Sequence, residues 1–390
     1  MALSIDEARA QVLAAVRPLP SEDVAVQDAV GRVLAEDVVA QRDVPSFANS
    51  AMDGFAVRSG PAGRALRIVG ESRAGAPAAV AVGEGEAVSI STGAAMPDGA
   101  DAVLQIERVT VDGDRVMLDD DVDPARNVRP AGDDVRAGQT VLPEGTRMGA
   151  AEIGIAVVSG RGSVACARRP RVVVLATGDE LVAPGGPLGP GQLHNSNAAT
   201  LAALATQAGA HVLRTGVVAD TEEETRAAIA GALEEADVLV LSGGVSVGPH
   251  DHVKPALQAL GVDEVFWRVA LRPGRPTWFG TRDDTLVFGL PGNPVSAMVT
   301  FMLFARPALG AMQGAPHQPE RIVARLAEAI PRHPDRDEAV RVSLRDGLAT
   351  PTGPQGSHQL SSMLGADGFA IVTAGDGAAL PGDPVVVELA

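Results

Sequence analysis

Asp237 to Asp251 reads DVLVLSGGVSVGPHD. Val238 to Leu241 form a continuous apolar run that stops at Ser242, and a glycine-rich turn follows, ending in Pro249, His250 and Asp251. A short apolar run bounded by turn residues predicts a strand buried on both faces. Gly243, Gly244 and Gly248 let backbone N–H groups approach an anion closely. In open α/β sheets ligands sit at such strand ends. The stretch by itself leaves two readings open, a ligand-binding loop or a tight strand-to-helix connection that holds nothing.

On both sides of this stretch the sequence alternates between strand and helix patterns. Upstream, the apolar run Arg171 to Ala176 ends in Thr177, Gly178, Asp179 and Glu180. Pro184 to Pro190 reads as a loop, Ser196 to Gly209 as an alanine-rich helix, and Val212 to Val218 as a strand that runs to Asp220. Thr221 caps an acidic helix over 222–236. Downstream, the pattern predicts a helix at 253–260, strands at Val265–Leu271, Thr277–Phe279 and Thr285–Leu290, and then the turn Pro291, Gly292, Asn293, Pro294 opening a helix to about 311. Such alternation predicts a multidomain α/β protein whose residues 171–315 form a doubly wound, mostly parallel sheet.

The flanks have a different texture. Ser4 with Glu7 opens an amphipathic helix over 4–17. A second apolar periodicity, DVAVQDAVGRVLAEDVVA, predicts further helix and a short strand before Pro45, and MGAAEIGIAVVS, 148–159, predicts another helix. Residues 1–44 and 137–170 are therefore expected to form a helical or linker part. Short β-rich pieces between glycine, proline and aspartate predict a small β domain over 45–136 and a C-terminal β domain over 316–390. Inside the first lie three polar knots, SAMDGFAV, STGAAMPDGADAV and PAGDDVRAG, whose Asp-Gly pairs also suit plain turns.

The chain has 390 residues and a net charge of −17, which argues against nucleic acid or an anionic membrane as the main partner. No apolar run reaches the roughly 18 residues needed to span a bilayer, and the acidic start MALSIDEARAQVL is unlike a signal peptide. A cytoplasmic location is expected. Cys166 is the only cysteine, which excludes an intrachain disulfide and a multi-cysteine zinc site, and Lys254 is the only lysine.

At the strand ends the sequence collects Asp179, Glu180, Asp220, the Ser242–Asp251 loop and the Pro291–Pro294 turn. Carboxylates beside anion-cradling amides suit a phosphate ester bound through Mg²⁺, although each acid taken alone also suits a solvated rim. His250, Asp251 and His252 have too few companions for a transition-metal site. Arg268, Arg272 and Arg275, in FWRVALRPGRP, offer guanidinium forks for a tetrahedral oxyanion, or simply flank a strand and a turn.

TGDEL, SGGVSVGPHD, LRPGRP and GLPGNPVSA, preceded by SAMDGFA and TGAAMPDGADAV and followed by GPQGSHQLSSM, resemble the molybdopterin molybdenumtransferases, relatives of the gephyrin C-terminal domain. The resemblance runs from the first helix to the final strand. It implies a molybdopterin-binding α/β domain and a homodimer whose active site is shared between that domain and the small β domain of the second subunit. It further implies insertion of molybdenum from molybdate into adenylylated molybdopterin, with Mg²⁺ and release of AMP. Transient contact with a molybdopterin adenylyltransferase or with molybdoenzymes is also implied. By motif, Asp53, Thr92 and Asp134 come from the β domain, and Glu180, Asp220, Asp251 and Ser357 complete the catalytic set. Glu180, Asp220 and Asp251 would hold Mg²⁺, and Arg268 and Arg272 molybdate. Ser242, Gly243, Gly244, Ser246, Gly248, Lys254, Arg275, Pro291, Gly292 and Asn293 would line the pterin and phosphate site.

The chain departs from the family pattern where arginines replace the lysines usual at 268, 272 and 275, in keeping with its near absence of lysine, whereas Lys254 falls where the family also has lysine. An adenylyltransferase is the nearest rival enzyme, and a dimeric scaffold without catalysis is the rival of another class. The flanking β domains weigh against the first, and the retained acids against the second.

Overall fold

Val172, Val174, Val238 and Val240 point into one apolar core, while Val173, Leu175, Leu239 and Leu241 point into another. Successive strand side chains face opposite sides, so runs without a polar residue require cover on both faces. The computed structural model describes residues 2–244 and 252–390 and supplies that cover. Helices Ser196–Gln207 and Pro294–Met312 lie on the first core, and helices Glu222–Glu235 and Val253–Ala259 on the second. Each aliphatic side chain fully buried this way contributes roughly 1.5–3 kcal/mol. The sheet order is His211–Val218, Arg171–Thr177, Val238–Ser242, Thr285–Leu290, Trp278–Arg282, Asp263–Trp267. Its first four strands are parallel, and each of the two later pairings is antiparallel.

The expected strand 265–271 is broken. It ends at Trp267, Arg268 takes φ +80°, and Leu271–Arg272 crosses to pair with Asp337–Glu338 of the C-terminal sheet. That sheet contains the strands Arg321–Leu326, Asp337–Arg345, Leu348–Pro351, Gly368–Val372 and Pro384–Leu389, and Asp337–Arg345 pairs with Gly368–Val372 to close a barrel. Its core holds Leu326, Val340, Val342, Val372 and Val387.

Ser4 and Glu7 form the expected capping box at helix Ile5–Ala14, which buries Ile5, Ala8 and Val12 in the α/β core. The second helical periodicity is not realised. Ser21–Ala25 is a strand, Val26–Asp28 a single 3₁₀ turn and Val38–Val39 a short strand. Valines stiff at χ1 favour extended backbone, and Pro18, Pro20 and Gly31 interrupt any helix.

Pro294–Met312 is 19 residues long and apolar enough by composition to cross a membrane, against the expectation of no such stretch, but 78% of its apolar window is buried inside the protein. Its middle turn, Phe301–Ala305, is π-helical. Pro307 has no N–H to give Leu303, and the Leu303 carbonyl accepts instead from Arg9 Nε at 3.1 Å. Arg9 also pairs with Glu388 at 2.7 Å, and Glu388 with Arg321 at 2.7 Å.

The chain divides into two compact units, one of residues 1–22, 31–35 and 166–390 and a second of residues 23–30 and 36–165. The second has a mixed sheet in the order Ala102–Gln105, Gly54–Val57, Glu86–Ile90, Ala65–Ser72, Arg115–Leu118, Val109–Asp112, plus helix Ala150–Val158. Phe55, Leu66 and Leu104 pack on one face, and Ala56, Val88 and Val103 on the other.

Candidate active site

The four parallel strands end together at Thr177, Val218, Ser242 and Leu290, and Asp263–Trp267 runs in the same direction. Their C-terminal ends form one rim. At one end of it Asp220 donates its backbone N–H to Asp179 Oδ1 at 3.1 Å. Burial, and then the neighbouring Asp179 and Glu180 carboxylates, hold the Asp220 carboxyl above its ordinary value, while His252 pulls it down.

The glycine turn occupies the middle of the rim. Gly243 and Gly244 have φ of +91° and +63°. A Cβ on Gly243 would stand 2.8 Å from the Thr177 carbonyl, and one on Gly244 2.7 Å from Val253 Cγ2. Both positions therefore demand glycine, on conformation and on space. Gly243 N–H donates to the Leu290 carbonyl at 3.1 Å, which sets this turn against Pro291–Asn293. Asn197 ties the two turns together by donating to Ser242 Oγ at 2.8 Å and to the Gly292 carbonyl at 2.7 Å. A cavity of about 110 Å³ opens here between Thr177, Glu180, Asn195, Asn197, Ser242 and Gly292. Asn197 escaped the sequence reading. The only signal was its place in the first turn of a helix capped by Asn195.

A larger cavity, about 420 Å³, lies where Pro291 and Asn293 meet the C-terminal barrel. Arg272, Arg275 and Arg336 line it with Ser296, Ser357 and His358. The Val295 N–H donates to the Ser357 carbonyl at 3.0 Å, so the Ser357 loop docks at the start of the Pro294 helix. Arg341 holds that loop from below. It is fully buried and donates from Nε to Ser362 Oγ at 3.1 Å and from Nη2 to the Pro354 and Gly356 carbonyls, both at 3.2 Å. With no carboxylate bonded to it, burial alone pulls its pKa down to about 10. Arg272 carries an ion pair to Glu338 at 2.9 Å. Neither Arg336 nor Arg341 was legible as a site residue, because the barrel pairing that brings them here is long-range.

Arg268 is not among the residues lining that cavity. Its guanidinium carbon lies 4.0 Å from the centroid of the Trp267 ring, and Lys254 Nζ lies 2.9 Å from the same centroid. Asp53, Thr92 and Asp134 are exposed in the second unit. Asp53 Oδ1 accepts from Thr92 N–H at 2.8 Å, and Asp134 N–H donates to the Val44 carbonyl at 3.0 Å. Gly54 opens a strand rather than a turn, and a Cβ there would lie 2.0 Å from the Leu104 carbonyl oxygen. Ser246, Gly248 and Asp251 lie outside the described residues. Among the described residues no group of three His, Cys, Asp or Glu is arranged to hold a metal ion.

Residues 3–160 match the family model described as MoeA N-terminal region (domain I and II), residues 173–311 that of the probable molybdopterin binding domain, and residues 323–390 that of MoeA C-terminal region (domain IV). A molybdopterin molybdenumtransferase of Haemophilus influenzae is 34% identical over 99% of this chain and 98% of its own length. One from Bacillus subtilis is 35% identical over 96% and 90%. The crystal structure of a molybdopterin biosynthesis moeA protein from Pyrococcus horikoshii superposes with a TM-score of 0.85 at 30% identity, over 100% of this chain and 99% of that one. With this fold, this order of regions and relatives alike along nearly their whole length, the chain belongs to the molybdopterin molybdenumtransferase family, enzymes of molybdenum cofactor biosynthesis.

Proposed function

We propose that this enzyme inserts molybdenum from molybdate into adenylylated molybdopterin, with Mg²⁺-dependent release of AMP. The observation that carries the reading is the division of labour along one unit: carboxylates at one end of the rim, a glycine turn in its middle, and an arginine-lined cavity beside it. The acid end suits a hard divalent cation, because burial and then the neighbouring Asp179 and Glu180 carboxylates hold the Asp220 carboxyl above its ordinary value, and a cation would relieve that repulsion. Glu180 and Asp220, with Asp251, would hold Mg²⁺, which supplies charge neutralisation at the phosphate. Arg272, Arg275 and Arg336 would grip molybdate with their guanidinium forks, and Ser357 would fix its orientation. The amides of Gly243, Gly244 and Asn293 would cradle the pterin and its phosphate. Breaking the phosphoric anhydride then rests on positioning and charge neutralisation.

The proposal extends to a cytoplasmic homodimer in which Asp53, Thr92 and Asp134 of the second subunit complete the site. It also keeps the expected division into 1–44 with 137–170, 45–136, 171–315 and 316–390. The barrel has an apolar core of its own, with Leu326, Val340, Val342, Val372 and Val387, which supports the boundary near 315, although Ala339 and Phe369 also pack into the α/β core. The test is AMP release from adenylylated molybdopterin, with and without molybdate and Mg²⁺. Release that needs both, and falls about 100-fold in Asp220→Asn, is the expected result. Binding of the adenylylated substrate with no AMP release under any of these conditions refutes the reading.

A further inference from the structure

Two cavities meet at Arg272. The larger, of about 420 Å³, holds it with Arg275 and Arg336, and a smaller one, of about 250 Å³, holds it with Glu338 and Arg341. Glu338 lines only the smaller, yet Arg272 Nη1 donates to its Oε1 at 2.9 Å. The carboxylate side chain is 13% exposed and the arginine 59%. An ion pair with so exposed a member adds little to stability, so what the contact changes is where the guanidinium stands.

The backbone that carries Arg272 is already fixed. Leu271–Arg272 pairs in parallel with Asp337–Glu338, which sets Arg272 directly opposite Glu338. Thr277 Oγ1 donates to the Gly274 carbonyl at 2.6 Å, and Gly274, at φ +119°, lies so close to Thr300 that a Cβ would stand 2.4 Å from its Cγ2. Only the arginine side chain is left to order, and a long side chain in contact with solvent populates many rotamers unless something holds it. Glu338 supplies that hold from a strand that is itself paired, residue 338 opposite Val372. A guanidinium carries five N–H donors in one plane, and the ion pair engages one terminal nitrogen, so the same group can also meet an anion in the larger cavity.

We propose that Glu338 is a positioning residue that holds Arg272 in the wall of the larger cavity and so raises the affinity of that cavity for a tetrahedral dianion. The identity of the dianion, molybdate, rests on the molybdenum-insertion reading, whereas the hold does not. The sign of the effect separates this role from that of a plain counter-charge. A negative charge beside an anion site weakens binding, so its removal by itself strengthens binding. Loss of the hold acts in the opposite direction.

Calorimetric titration of the full-length protein, Glu338→Gln and Glu338→Ala with molybdate, and separately with sulfate, tests the proposal. Glutamine keeps an oxygen for Arg272 Nη1 and loses the charge, while alanine loses both. Glu338→Ala should bind molybdate about tenfold more weakly although it removes a negative charge, and Glu338→Gln should bind at least as tightly as the wild type. In turnover the alanine variant should show KM for molybdate raised by a similar factor, with kcat kept. Tighter binding in both variants would make Glu338 a counter-charge only, equal weakening in both would assign it to packing, and unchanged affinity in both would make the ion pair idle. Each of these overturns the proposal. If AMP release from adenylylated molybdopterin never depends on molybdate, while sulfate binding still falls in the alanine variant and persists in the glutamine variant, the insertion reading fails and the positioning role stands. Binding of neither anion by the wild type overturns the positioning role itself.

Discussion

Replacing Arg341 by methionine should disable the Ser357 loop while leaving the barrel that carries it largely intact. Two terms oppose each other. Arg341 is fully buried, and the displacement of its pKa from the ordinary guanidinium value down to about 10 corresponds to on the order of 3 kcal/mol for burying the charge. The folded-state value is the lower one, so at neutral pH the charge is a cost to stability, relieved only as pH rises past about 10. Against it stand three hydrogen bonds from a charged donor, to Ser362 Oγ and the Pro354 and Gly356 carbonyls, contributing roughly 1.5–3 kcal/mol each. Methionine removes both terms, so the net loss should be about 2–5 kcal/mol, concentrated where the acceptors lie. Strand 337–345 keeps its ladders to 348–351 and 368–372. Hydrogen exchange should therefore accelerate at least about tenfold over 353–363 and stay unchanged over 337–345, and KM for molybdate should rise. Arg341→Lys should not rescue the loop, because one ammonium cannot reach three acceptors arranged for a fork. Wild-type exchange of the loop in either variant would refute the reasoning.

Asp237 accepts from Arg168 at 2.8 and 3.1 Å and from the Arg171 backbone N–H at 2.7 Å, and these partners together hold its carboxyl below the ordinary value in spite of burial. Its contribution is present above the unfolded value of 3.8 and is lost as pH falls through the lower folded value. Denaturant midpoints should therefore show Asp237→Asn about 3 kcal/mol less stable at neutral pH, with the gap closing in acid, and a gap independent of pH would contradict this. Arg9→Met should destabilise by about 3 kcal/mol, since it strips Glu388 of one partner and Leu303 of its carbonyl donor. Adding Glu388→Gln should cost much less than its single effect, and additive losses in the double-mutant cycle would show that the pair is not coupled.

Much of the α/β core was legible because its signals are local. Val238–Leu241 had to be a doubly buried strand, Thr221 caps its helix by accepting from Glu224 N–H at 3.3 Å, and Ser4 with Glu7 closes its box as read. What failed was decided at a distance. Leu271 reads as the continuation of a strand that in fact stops at Trp267, because the residues that pair next to it, Asp337 and Glu338, are far along the chain. Val24 to Val39 carry a helical apolar spacing, yet β-branched side chains and Gly31 made extended backbone the better solution. Of the candidate site, the strand pattern was enough to place Asp220 and the Gly243–Gly244 turn at the strand ends. Arg336, Arg341 and Asn197 could not be placed in this way, since each acquires its role only when barrel or helix packing brings it against the turn.

Helix Ile5–Ala14 also dictates an order of events during synthesis. Unit 23–30 with 36–165 has all its strands once residue 165 has emerged, whereas Arg9 must wait for Leu303, and then for Glu388, 379 positions away. Until then the apolar stripe Ile5, Ala8, Val12 has nothing to lie on. The entropy of closing so long a loop grows only logarithmically with its length, so the penalty is one of time rather than of free energy. The nascent chain carries an exposed helix face while the inserted unit is already able to fold, and the ribosome-bound intermediate should be the species most in need of a chaperone.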